Sequence, residues 1–490
     1  MNKNAFISIV IAVLTPLLSA ENAIDPAERM ADSMVYIESS RVGWEQLQPW
    51  RQTSVATVGA YGTAVGPTAV LTTAAPLSNA VSIRVRRHDQ NEFIPAEITV
   101  IDYEANLCLL ELDETAVQTP LKPVEFSDKF IKNRELTAFR LGSDGDITQA
   151  RATLDRAEVR FSTVSFARQL QYVLTSPSRS TGAGELYCLD DVPVGIACWS
   201  SDSEVGLIPA ETINRFLTAA AGTPYRGFGA IGFETTPLLD PAVRKYLQLS
   251  EDQRDGIYVT SVYTMGTGHL DLLAGDVILS IDGHRLNAHG RYEDQRYDRL
   301  GFEHLIARVP VGQTLEFVIW RNEKEESVDV EVLDIDAGKM LVPYYIYDRR
   351  PQYLVTGGFV FQVLTRDYMT LWGDGWQGKV PPHLFQYFRD RAFGPTDQRS
   401  DIVLLSYVLP TEANLGYHQL GRLVVSSVNG TDIGSFQHLY DALNDRSDRP
   451  FHVVEFELDS PTVVIPKAQL DAIDQQVMSL YGISEPSYIH

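Results

Sequence analysis

The stretch "SPSRSTGAGE", residues 176 to 185, sets four hydroxyl side chains, Ser176, Ser178, Ser180 and Thr181, just before two glycines. A hydroxyl in such a turn is raw material for acyl transfer, because it attacks a carbonyl once a base has taken its proton. The base is what the neighbourhood lacks. Of the ten histidines, only His88 precedes residue 225, and "RRHDQNEF" around it reads as the tip of a hairpin. Lys129 and Lys132 lie in a linker-like stretch with no feature that would bury them. The three cysteines, Cys108, Cys188 and Cys198, are too few for a disulfide framework and too scattered for a zinc site. A single Cys188–Cys198 bridge stays open as an alternative to three thiols. Cys108, inside "LCLL", reads as a buried small hydrophobe. No metal and no cofactor are expected.

Any such chemistry must be positioned by the elements around it. From about 33 to 200 the chain is a succession of short alternating segments, among them "SMVYIES", "AVLTTAA", "VSIRVRRH", "NLCLLELD" and "VPVGIACWS". Many brief strands without helices between them predict an all-β barrel or sandwich. A helix is expected at "PAETINRFLTAAAG", with Pro209 at its start and Gly222 past its end. Two later segments repeat one order of strand, turn, strand and helix. "GDVILSIDGHRL" and "GRLVVSSVNGTDI" share a glycine, alternating aliphatics and an Asp-Gly or Asn-Gly hairpin turn, a diverged internal repeat. "RYEDQRYDRL", residues 291 to 300, reads as a solvated acidic helix of mixed charge. Between the first strand of the second repeat and its core lies an insertion with Trp372, Trp376, Phe385, Tyr387, Phe388 and Phe393. That is too aromatic for a disordered loop. The aromatics either cover their own domain's core or make a protein contact.

At 490 residues the chain has room for about three domains at ~100–200 residues each. The net charge of -23 argues against a nucleic-acid partner, which needs clustered Lys and Arg. Arg84-Val85-Arg86-Arg87-His88 alternates along a strand and reads as a solvated face. Lys3, the apolar run from Ala5 to Leu18 and the small residues after it form a signal-peptide pattern. A membrane span needs about 20 apolar residues, so cleavage after Ala20 or Ala23 is expected, giving an exported, periplasmic or extracellular protein without a span.

The order of a two-barrel β domain followed by two such repeats resembles the HtrA/Deg family of serine proteases, in the long-form branch with a second, divergent PDZ domain. "GTAVGPTAVLTTAAPLSNA", "DYEANLCLLELD", "STGAGELYCLDDVPVGI" and "AGDVILSIDG" carry the resemblance, which covers nearly all of the chain beyond residue 23. It implies a mostly β fold, a trypsin-like double β-barrel followed by two PDZ-like α+β domains. The implied boundaries are a signal peptide at 1–20, a protease domain at 24–225, PDZ domain 1 at 226–336, a linker at 337–352, PDZ domain 2 at 353–470 and a tail at 471–490.

Carried over position by position, the catalytic histidine falls at Ala75, the aspartate at Asn106 and the serine at Gly182. Ala75 cannot take a proton and Gly182 has nothing to attack with. Glu185 stands where the family has proline, beside a turn whose N–H groups would form the oxyanion hole. The resemblance therefore implies a pseudoprotease that acts as a peptide-binding scaffold, chaperone or regulator in protein quality control. The alternative is an active serine endopeptidase with an unconventional site. The implied partners are C-terminal or unfolded peptides, held at Ala230, Ile231, Gly232 and Phe233 of PDZ domain 1 by backbone amides that Gly232 leaves free to turn. A trimer-based homo-oligomer or co-assembly with active relatives is implied as well. The corresponding loop of the second repeat, "TGGFVF", is expected to be architectural, its groove filled or covered by the aromatic insertion.

Overall fold

The computed structural model describes residues 26–88, 90–177, 180–250, 255–445, 447–458 and 461–489. The expected signal peptide and Ser178 lie outside the described residues. Helix α1 (Pro26–Met30) leads into the first barrel, made of β1 (Met34–Arg41), β2 (Ala56–Ala64), β3 (Ala69–Thr72), β4 (Ala80–Arg87), β5 (Ile94–Asp102) and β6 (Leu107–Leu112). It closes in the order β1-β2-β3-β6-β5-β4. The second barrel repeats that topology with β7 (Glu135–Leu141), β8 (Ile147–Phe161), β9 (Arg168–Thr175), β10 (Leu186–Leu189), β11 (Val192–Ser200) and β12 (Glu204–Pro209). Alternation along each strand sends every second residue inward, as in β6, where Leu110 and Leu112 are buried between partly exposed Leu109 and Glu111. Helix α2 (Ala210–Ala220) packs Ile213 and Phe216 beneath the second barrel.

The first repeat contains β13 (Phe233–Pro237), α3 (Pro241–Tyr246), β14 (Ile257–Val262), β15 (Val277–Ile281), β16 (His284–Arg285), β17 (Arg291–Asp294), β18 (Asp298–Gly301), α4 (Glu303–Ala307), β19 (Thr314–Arg321) and β20 (Lys324–Glu331). Its main sheet runs β13-β14-β15-β19-β20, with β16 on β15. The Asp-Gly turn behaves as its residues require: Asp282 and Gly283 have φ of +48° and +75°, the left-handed pair of a type I′ hairpin. Residues 291–300 are not a helix. They form the β17–β18 hairpin, because Tyr292 and Leu300 pair across it on a buried face. The Asp294 carboxylate accepts the amides of Arg296 and Tyr297 to make the turn.

The second repeat comprises β21 (Tyr353–Thr356), β22 (Phe359–Val363), α5 (Arg366–Met369), α6 (Pro382–Arg391), β23 (Val403–Val408), β24 (Gly421–Val428), β25 (Thr431–Asp432), α7 (Phe436–Leu443), β26 (Phe451–Phe456), β27 (Val463–Pro466), α8 (Leu470–Tyr481) and β28 (Ser487–Tyr488). Its sheet runs β27-β26-β24-β23-β22-β21-β28 with β25 on β24. Read from the other end, this is the first repeat's order with two strands added beyond β22. Residues 471–490, expected as a tail, thus supply most of α8 and an edge strand of the sheet. No helix among the described residues is long and apolar enough to cross a membrane.

The parts share cores. Tyr172 and Leu174 of the second barrel and Phe233, Phe302 and Leu305 of the first repeat belong to one buried cluster. Met340, Leu341, Val342 and Tyr345, in the expected linker, join the first barrel's core to Tyr368, Trp376 and Leu384 around the insertion. The insertion therefore does more than cover its own repeat. Phe393 stacks on Tyr263 of the first repeat at 4.7 Å and meets Phe166 of the second barrel edge-on at 5.4 Å.

Candidate functional site

Ala75 opens a short helical turn after β3, and Asn106 closes the β5–β6 turn. The Asn106 side-chain oxygen accepts the Ala75 amide at 3.0 Å, and its carbonyl accepts the Ala74 amide at 3.2 Å. Asn106 is buried with φ +54°, a left-handed conformation that asparagine tolerates better than most residues. The two positions are adjacent, but their contact is a backbone brace with no proton to pass.

Gly182 lies in the loop between β9 and β10. Its φ is +69°, and a Cβ built on it would come within 2.7 Å of the Trp199 backbone. Glu185, fully buried, turns its carboxylate back into this loop. One oxygen accepts the Thr181 amide at 2.7 Å, while the other accepts the Gly182 amide at 3.1 Å and the Ser180 hydroxyl at 2.5 Å. The Arg140 guanidinium sits 3.2 Å away. An oxyanion hole is a set of N–H groups left open for charge that develops during reaction. Here the two amides at the top of the loop are already bonded to a resident carboxylate. The loop is fixed to the first barrel by the Tyr61 amide, which donates to the Ala183 carbonyl at 2.9 Å.

Among the described residues none of the alternative groups completes a triad. The His88 ring bonds the Gly145 carbonyl at 3.0 Å on the second barrel's β7–β8 turn. Lys129 and Lys132 are exposed, and Lys132 faces Asp298 at 3.5 Å. Ser176 is buried. Cys188 and Cys198 are buried thiols and are not bridged.

Sequence reasoning passed over Asp102 and Glu104. They line a cavity of about 160 Å³ between the first barrel, residues 225–230 and residues 334–335. Asp102 accepts the Tyr225 hydroxyl and the Ala105 amide at 2.5 and 2.7 Å, and Glu104 accepts the Tyr345 hydroxyl. Burial, reinforced by the Asp102 charge, pushes the Glu104 carboxyl up to about 7. A carboxyl whose pKa is raised by folding adds most stability below its unfolded value, and that contribution is lost as pH rises through the folded value. Between pH 5 and 8 the chain is thus expected to lose on the order of 2–3 kcal/mol through this group. Urea titrations at both pH values should show the loss in the parent and a smaller one in Glu104→Gln; an unchanged loss would refute the assignment.

The first repeat's loop presents a strand edge. The Ala230 amide donates to the Leu333 carbonyl at 2.9 Å, and the Gly232 amide donates to the Thr267 carbonyl at 2.8 Å. Gly232 is required for closeness: a Cβ there would lie 2.5 Å from the Met265 carbonyl oxygen. It does not adopt the unusual backbone angles that the sequence suggested: within 227–233 Gly227 is the glycine with a positive φ. Ala230, Ile231 and Phe233 line a cavity of about 330 Å³ together with Phe161 and Phe166 of the second barrel and Phe388 and Phe393 of the insertion. In the second repeat the matching edge is taken. β21 pairs antiparallel with β22, β28 pairs with β21, and the Gly357 amide donates to the Asp474 carboxylate of α8 at 2.6 Å. The chain's own strands and C-terminal helix close that groove, where the insertion had been expected to do so.

A sequence model described as a PDZ domain matches residues 342–487. Two curated proteins of Arabidopsis thaliana are similar over most of the chain. "Protease Do-like 2, chloroplastic" is 23% identical over 482 residues, covering 95% of this chain and 77% of that protein. "Protease Do-like 4, mitochondrial" is 23% identical over 402 residues, covering 80% and 73%. Among solved structures, "HtrA-type protease AlgW with decapeptide" matches with a TM-score of 0.48 and 19% identity over 63% of this chain and 97% of that one. Two closed six-stranded barrels carrying PDZ-type sheets define a trypsin-like protease fold with PDZ domains. Over most of its length the chain is similar to Do-like proteases of the HtrA/Deg type.

Proposed function

We propose that this chain is a non-catalytic member of its family that binds polypeptide segments through the first repeat and acts as a scaffold, chaperone or regulator in protein quality control. The observation that carries the reading is the Glu185 carboxylate bonded to the Thr181 and Gly182 amides, in a loop with no nucleophile at 182 and no base at 75. Export after loss of residues 1–20 and assembly as a trimer-based oligomer, alone or with active relatives, belong to the same proposal. Native mass measurement of the protein recovered from outside the cytoplasm tests both.

A second reading keeps serine endopeptidase activity, with Ser180 as nucleophile. It is favoured by one contact, the Ser180 hydroxyl 2.5 Å from the Glu185 carboxylate. That carboxylate already serves two amides and Arg140, which argues against its acting as a base. Incubation with unfolded casein and labelling with a fluorophosphonate separate the two readings. No cleavage and no labelling are expected; cleavage that disappears in Ser180→Ala would establish the second reading and end the first.

A further inference from the structure

We infer that the first repeat takes an internal, extended segment of an unfolded chain, inserting one bulky apolar side chain into the 330 Å³ cavity, and does not select free C-termini. This rests on the peptide-binding reading above. β13 ends its sheet: β14 pairs with one side, and no strand among the described residues pairs with the other. An unpaired edge is a template for an added strand. Capture of a terminal carboxylate needs successive amides turned toward one point. In this loop the amides of Ala230 and Gly232 are bonded to the Leu333 and Thr267 carbonyls, so alternate amides point away, as in any strand.

The second repeat shows what such an edge accepts. At the position equivalent to β13, β22 carries β21, with Tyr353 opposite Gln362 and Thr356 opposite Phe359. β21 is an interior segment of the chain with all four residues buried. The carboxylate that this loop's Gly357 amide holds, Asp474, comes from a side chain.

Charge around the first repeat's cavity points the same way. Arg168 is paired with Glu303 at 2.7 Å and Arg389 with Asp390 at 2.7 Å, so neither guanidinium at the rim is left for a terminal carboxylate. The walls are aromatic, and a volume of about 330 Å³ is at the low end for small-ligand sites. It admits a side chain or two, and a second cavity, lined by Pro237 and sharing Thr235 with the first, lies farther along β13.

The test uses the full chain and fluorescein-labelled decapeptides read by anisotropy, each made with a free or an amidated C-terminus and with Trp or Ala at its centre. Amidation is expected to change Kd by less than about twofold, and Trp→Ala to weaken binding about tenfold, as loss of one buried apolar side chain would. Phe161→Ala and Phe388→Ala should shrink the preference for Trp; Phe161 is 58% exposed, so its replacement spares the core. Binding of only the free-acid peptides would overturn the inference, as would an absent Trp preference or one that both variants leave intact. Failure of every peptide to bind would remove the peptide-binding reading itself.

Discussion

Glu185→Ala is expected to lower the unfolding free energy by about 3–5 kcal/mol, the usual result of deleting one member of a buried charged pair. That is a large share of the ~5–15 kcal/mol that holds a typical domain. The carboxylate is fully buried and bonds two backbone amides and one hydroxyl. Its removal would leave those donors unsatisfied and the Arg140 guanidinium, only 18% exposed, without its counter-charge. Glu185→Gln keeps the shape but puts an amide NH₂ where one oxygen accepted, so it should fall between the parent and alanine. Urea titration of the three proteins reads the order directly. A loss under about 1 kcal/mol for alanine, within the range of exposed pairs, would mean that the carboxylate does not hold the loop.

The second large effect is an activity that does not return. A complete serine triad is worth about 10⁶ in kcat where it has been dissected, so Ala75→His, Asn106→Asp and Gly182→Ser together would recover much of it if only side chains had been lost. We expect the triple variant to show no hydrolysis of casein and no fluorophosphonate labelling. A serine at 182 would have to place its Cβ 2.7 Å from the Trp199 backbone at a φ of +69°. The Glu185 carboxylate would still hold the loop amides that an oxyanion needs. Turnover in the triple variant would show that the loop rearranges on demand and would reopen the catalytic reading.

Much of the architecture was legible because it is local. Strand alternation, the helix between Pro209 and Gly222, and the Asp282-Gly283 turn each depend on a few neighbouring residues, and the structure has them. Positions 75, 106 and 182 can be picked out from the stretches around them, and the first two do lie side by side. Glu185 reads in the sequence as an acid beside the turn at 182 that would disfavour an oxyanion; its bonds to the loop amides were not legible, because its burial and Arg140, forty-five positions earlier, are set by the fold. The hairpin at 291–300 was misread because its charges hid a two-residue period marked by only Tyr292 and Leu300. Asp102 and Glu104 gave no signal, since their partners Tyr225 and Tyr345 arrive from more than a hundred residues away. The closing of the second repeat depends likewise on β28 and α8 returning to β21 from the end of the chain.

Phe393 touches the second barrel, the first repeat and Tyr344 at once, and the Thr264 amide donates to its carbonyl. A ring shared in this way ties the opening of one part to the opening of the others, so slow hydrogen exchange should extend as one protected unit across repeat boundaries. Fragments cut at the limits of the repeats would pass through a common interior. A first repeat expressed alone would lack the walls supplied by Phe161, Phe166, Phe388 and Phe393, and would be a different binding surface from the one the whole molecule presents.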